Sequence, residues 1–343
     1  FIKFSRFSRL FEFFNFEVNQ EAIQLKAKID IKEAFSLTPV MAFIDLEDLK
    51  IISSKLTQII PDSYHDQIPK PLLNYESFLG SGTFSLEENQ LRTDIQLSNG
   101  DTHIVNRSLF NLARDQWKFK LIRFEGVSEI KKMDLSPWHP NLGWVTSKFM
   151  ISGNRRDSGN FNLNFDVDVN EILLDDKEIN SINVEGELKE EELTVDFTVA
   201  DEYIKATSAI AYSWGEDQRK YQFDLNLDQL NLHLLDGELG GGKAIYSGDL
   251  NLFLVGETFD DIQGNLLFKN IQFENQIQVD SFNDFILETS LSNQKRVIRT
   301  INSDIMNINV EGKFQLSMIN SLFSNAIAEA FPFVPKKKID KTQ

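Results

Sequence analysis

Four histidines, two pairs of aspartates and one glycine run are the residues of this chain whose types suit chemistry. The histidines are His65, His103, His139 and His233. None has a second ligand at metal spacing, such as the i+4 partner with which a helix binds zinc. His139 stands in Trp138-His139-Pro140, a loop sequence, and reads as structural. Asp166 with Asp168, and Asp224 with Asp228, share a strand face by their even spacing. Paired carboxylates serve acid–base catalysis or calcium binding. The neighbouring segments repeat the same polar pattern, so a solvated outer surface is the preferred reading. Gly240-Gly241-Gly242-Lys243 lacks the spacing of a phosphate-binding loop and the hydroxyl residue after its lysine, and reads as a turn. There is no Gly-x-Ser-x-Gly elbow. Cysteine is absent as well, which removes disulfides, thiolate metal sites and thiol nucleophiles. These residues predict no enzyme, no cofactor and no bound metal.

Charge narrows the partners. The 343 residues carry a formal net charge of −17. Nucleic acid is an unsuitable partner, because phosphate binding needs a basic face. An anionic membrane surface repels most of such a chain. No apolar run reaches the roughly 18 residues of a transmembrane helix. The chain begins at Phe1, which predicts an internal piece of something longer.

What the sequence offers instead is alternation. Ile-Asn-Val-Glu-Gly occurs twice, at 182–186 and 308–312, each time inside a strictly alternating stretch. Period 2 places alternate side chains on opposite faces of a strand. One apolar set is Phe161, Leu163, Phe165, Val167 and Val169. Others are Ile182, Val184 and Leu188; Leu193, Val195, Phe197 and Val199; Tyr221, Phe223, Leu225 and Leu227; Leu250 and Leu252; and Ile308, Val310, Phe314 and Leu316. Turn-forming clusters separate them, among them 154–157 and 215–217. Gly186, Gly248, Gly264 and Gly312 fall in or beside strands and predict bulges or bends. Phenylalanine is abundant, with 29 Phe against 6 Tyr and 4 Trp, and much of it falls in phase with the alternation.

The first third carries the same signal more thinly, at 22–31, 82–86, 91–97 and 117–121. Residues 46–60 show helical spacing ended by Pro61, and 316–330 a second helical candidate ended by Pro332. Phe1, Phe4, Phe7, Phe11 and Phe14 recur at i+3/i+4 with Lys3, Arg6 and Arg9 between them. That predicts either an amphipathic surface helix or a strand fragment. The expected organisation is an aromatic and basic segment over 1–20, a β-rich part over 21–140, a repeated-strand part over 141–335 and a basic polar tail over 336–343.

A sheet with one apolar face must hide that face from water. It does so in a sandwich, in a barrel or solenoid filled by its own side chains, or as a trough covered by something else. The pattern alone leaves all three open, with the sandwich the common outcome.

Residues from about 160 to 335 resemble the TamB-like members of the AsmA superfamily in their Bacteroidota form. The carrying segments are 182–189, the strand 221–227 leading to Leu230-Asn231-Leu232, Gly248-Asp249-Leu250-Asn251-Leu252, and Asp261 to Leu266 with Lys269-Asn270-Ile271. The stretch from Asn302 through Phe314, followed by the helical candidate and Phe331-Pro332, is the most telling. Residues 40–100 fit more loosely. The resemblance implies an elongated, curled all-β antiparallel sheet, a taco-like trough with a few short helices. It implies a periplasmic conduit for phospholipid or another acyl-chain lipid, with the alternating residues above as its lining. The parent protein would be anchored in the inner membrane and meet an Omp85-family (TamA-like) outer-membrane barrel. Two other readings stay open: an assembly factor offering strand edges to outer-membrane proteins, and a structural β-solenoid with a sealed core.

Overall fold

The alternating stretches form strands with little else between them. The structure, a computed structural model, describes residues 2–5, 10–19, 22–32, 41–53, 55, 75–115, 118–156, 159–175, 177–215, 218–231, 244–275 and 277–318. No α-helix occurs among them, and the fold is an open antiparallel sheet. No helix of the described residues is long and apolar enough to cross a membrane.

The chain divides into two compact units, residues 1–190 with 199–201, and residues 191–198 with 202–343. The first unit holds β1 (Ile2–Ser5), β2 (Leu10–Asn19), β3 (Ile23–Lys32), β4 (Met41–Ile52), β5 (Ser77–Glu87) and β6 (Gln90–Asn99). It continues with β7 (Thr102–Asp115), β8 (Lys118–Asp134), β9 (Leu142–Arg155), β10 (Phe161–Leu174) and β11 (Lys177–Lys189). Each strand pairs antiparallel with the next, from β1 to β11.

Strand β12 (Glu192–Ala200) gives its first residues to the second unit. There follow β13 (Ile204–Ser213), β14 (Lys220–Asn231), β15 (Ile245–Val255) and β16 (Gln263–Glu274). The short β17 (Val279–Ser281) pairs with one end of β16, and β18 (Phe285–Ser292) with the rest of it. β19 (Lys295–Ile301) and β20 (Asn309–Gly312) complete the ladder from β13 onward.

One expectation changes, one pair of alternatives is decided for strand, and one expectation lies mostly outside the described residues. The stretch expected as a helix from Leu46 is strand β4 as far as Ile52; the remainder to Ile60 lies outside the described residues apart from 53 and 55. The cause is a bulge. Leu46 pairs with Gly82 and Leu49 with Gly80, so two residues intervene where one is usual and apolar positions recur at i+3. Glu47 occupies the bulge, held by Lys28 and by Lys26, the latter at 3.7 Å. The Lys28 ammonium lowers the Glu47 carboxyl below its ordinary value. In the N-terminal segment, Ile2–Ser5 and Leu10–Asn19 are strands, not a surface helix, with another register shift between Phe13 and Phe16. Of the helix expected at 316–330, only Leu316–Met318 is described, as a 3-10 turn.

Candidate functional site

Register decides which residues share a face, because directly opposed residues in antiparallel strands point the same way. In the first unit one row runs Val18, Leu25, Leu49, Gly80, Leu97, Ile104, Ile130, Ser147, Val169, Ile182, crossing ten strands from β2 to β11. A row nearer the opposite margin runs Ile31, Ala42, Leu86, Leu91, Phe110, Phe124, Gly153, Leu163, Leu188. The expected residues Val167 and Val184, and Phe165 with Gly186, lie on two rows between these. In the second unit Ile210, Phe223, Leu252, Leu266 and Leu287 form one row, and Ser208, Leu225, Leu250, Phe268 and Phe285 the next. Val310 opposes Ile298. Alternation therefore does add up, strand by strand, to one apolar face in each unit.

That face is half-covered. Of the twenty-two residues expected to line it, only Val199 is buried; the others keep part of their surface in solvent. Two sheets packed about 10 Å apart would bury such side chains. Among the described residues, strands make more than marginal contact only with their ladder neighbours.

Aromatic rings lie down on glycines of this face. A methyl group at Gly186 would collide with the Phe165 ring, and one at Gly153 with the ring of Phe124. No register shift occurs at Gly186, so its role is to receive a ring rather than to make the expected bulge. Gly186→Ala is expected to keep the fold. The ring can swing away, and a cost of about 1–3 kcal/mol for crowding is partly offset by about 0.5–1 kcal/mol from losing a strand glycine. Urea unfolding checks for a net loss between zero and about 2.5 kcal/mol, and a lifted Phe165 should reduce any ligand held above it.

Each unit also holds a buried patch. In the first unit Met133, Leu135 and Val145 form a buried cluster, packed by Ile104, Ile130, Leu142, Val169 and Ile172. Beside them the Tyr75 hydroxyl lies 3.0 Å from Oγ1 of Thr102 and accepts the Asp134 amide at 2.8 Å. In the second unit Arg296 opposes Leu291 and is fully buried. Its guanidinium donates to the carbonyls of Ile262 and Asp260 and to Oγ1 of Thr289, each at 2.7 Å. Asp260 is held in turn by the amide and hydroxyl of Ser317, at 2.8 and 3.0 Å. Burial lowers the Arg296 pKa, and the carboxylates of Asp260 and Asp261 oppose that shift. Sequence reading missed this residue.

The opposite face is polar and internally bonded. Asn183 donates to Asp166 at 3.3 Å and to Asp168 at 3.0 Å. Asn251 donates to Asp224 at 2.8 Å, and Asp249 accepts from Asn226 at 2.7 Å and Asn270 at 2.6 Å. A shallow depression here is lined by Asp196, Thr207, Asp224, Asp249 and Lys269, beside register shifts in β13, β14 and β15. Among the described residues no three His, Cys, Asp or Glu side chains gather as metal ligands. His103 and His139 are exposed, and His139 Nδ1 accepts the Asn141 amide at 3.3 Å. His65 and His233 lie outside the described residues.

The amides of Asn270 and Asn226 hold the Asp249 carboxyl below its ordinary value. A carboxylate whose folded pKa is depressed adds stability above its unfolded value, and that share is lost as pH falls through the folded one. Acid unfolding of Asp249→Asn should therefore show a shallower dependence below the usual aspartate range than the parent. An unchanged slope would remove Asp249 from the acid response.

In each unit, fold and face together define an antiparallel sheet whose apolar side is only partly covered among the described residues. No family model, curated protein or solved structure matches the chain.

Proposed function

We propose that this chain is part of a periplasm-spanning conduit, TamB-like in kind, that moves phospholipid between inner and outer membranes along its apolar face. The carrying observation is the set of register-aligned apolar rows, ten strands long in the first unit, most of whose side chains stay partly exposed. A surface of this kind costs free energy in water, at about 25 cal/mol per Å² of apolar area. Acyl chains relieve that cost without needing any directed bond. Sliding along the rows exchanges like contacts for like, so no reactive residue is required. Partial exposure of the lining favours an open face over a sealed core.

Mass spectrometry of lipids that co-purify with the intact protein tests this. Bound diacyl phospholipid, lost from variants with charges on the apolar face, is the expected result. Protein that purifies folded and free of lipid from a lipid-rich envelope would overturn the proposal.

A further inference from the structure

Apart from the lone Ser147, polar side chains break the apolar rows of the first unit at one cluster. Its two central rows read Ala27, Leu46, Gly82, Ile95, Asn106, Ser128, Phe149, Val167 and Ile29, Ile44, Phe84, Thr93, Ser108, Gly126, Ile151, Phe165. Thr93, Asn106, Ser108 and Ser128 thus form a polar notch across β6, β7 and β8, about 10 Å wide at the usual strand spacing. Apolar side chains flank it on both sides. Asn106 Nδ2 donates to Ser128 Oγ at 2.7 Å, and Ser108 Oγ donates to Asn106 Oδ1 at 3.0 Å. Those bonds leave the second Nδ2 hydrogen of Asn106 and the hydroxyl hydrogens of Ser128 and Thr93 for other acceptors. The notch is uncharged; its strands carry their charges on the other face, where Arg107 meets Asp94 at 3.3 Å. Polar groups set into a dry floor cost free energy unless something bonds them.

We infer that this notch receives the ester carbonyls of a diacyl lipid, with its acyl chains on the apolar rows to either side. The inference rests on the lipid reading above and adds a substrate class to it. Three spare donors spread across one uncharged notch suit the neutral carbonyl oxygens of a lipid whose chains lie on hydrocarbon to either side. Aliphatic chains alone would need no such notch, and a phosphate would call for a cation.

The test is competition binding by the purified full chain between a diester phosphatidylethanolamine and its diether analogue of equal chain length. The two share a headgroup and differ in the carbonyls. The parent protein is expected to hold the diester about tenfold more tightly, the effect of one or two net hydrogen bonds. Asn106→Leu with Ser128→Ala should erase that preference while diether binding persists. The isosteric Thr93→Val, which should leave the fold intact, should reduce it in part. Equal binding of both lipids by the parent protein would overturn the inference and leave the conduit proposal standing. A preference that survives in the variants would overturn it too. Binding of neither lipid would overturn the conduit proposal and this inference together.

Discussion

Phe165→Asp and Phe223→Asp are expected to stop lipid movement while the protein stays folded. Both rings are half-buried, so truncation forfeits only part of the roughly 1.5–3 kcal/mol that a fully buried Phe contributes. Each lies inside a row: Phe165 beside Ile151 and over Gly186, Phe223 between Ile210 and Leu252. A carboxylate there meets acyl chains with no cation to offset it. Burying an unpaired charge costs several kcal/mol, and each 1.4 kcal/mol is about tenfold, so a fall in passage of at least about tenfold follows. Lipid exchange between donor and acceptor vesicles measures it. Asp166→Ala, on the polar face, is the control and should leave exchange unchanged. Full exchange by both charged variants would remove these side chains from the path.

Arg296→Ala should cost the second unit about 2–4 kcal/mol, since it leaves two carbonyls and a hydroxyl without their donor. Arg296→Lys should recover only a fraction, because one ammonium cannot reproduce the geometry of the guanidinium fork. The urea midpoint at constant slope reads both changes. A loss below about 0.5 kcal/mol for the alanine variant, typical of ordinary surface positions, would show that the Arg296 clamp does not hold this buried patch together.

The strands that alternate without interruption were legible, β10 and β14 above all: Phe161 to Val169 and Tyr221 to Leu227 keep one face throughout. Where a bulge intervenes, the same chemistry imitates a helix. Leu46 and Leu49 share a face across Glu47 and Asp48, and periodicity alone does not separate that from a helical turn. Strand β7 was hidden for another reason. Asn106 and Ser108 occupy its inner face, so polarity no longer marks which side is which. The broken alternation is itself the signal of the polar notch: a strand with a polar insertion. Arg296 had no local signal. Its burial depends on carbonyls 34 and 36 residues away, which only the folded ladder brings together. Gly186 stands out in the sequence, but its partner Phe165 lies on the neighbouring strand, and only register joins them.

Photo-crosslinking from single positions in the living envelope tests the central claim most directly. A photoreactive side chain at Val167 or Leu252, on the apolar faces, should form lipid adducts. The same group at Asp166 or Asn251, one residue away on the polar faces, should form none. Adducts of equal yield from both faces, or apolar-face positions that capture only protein, would contradict an open apolar face covered by lipid.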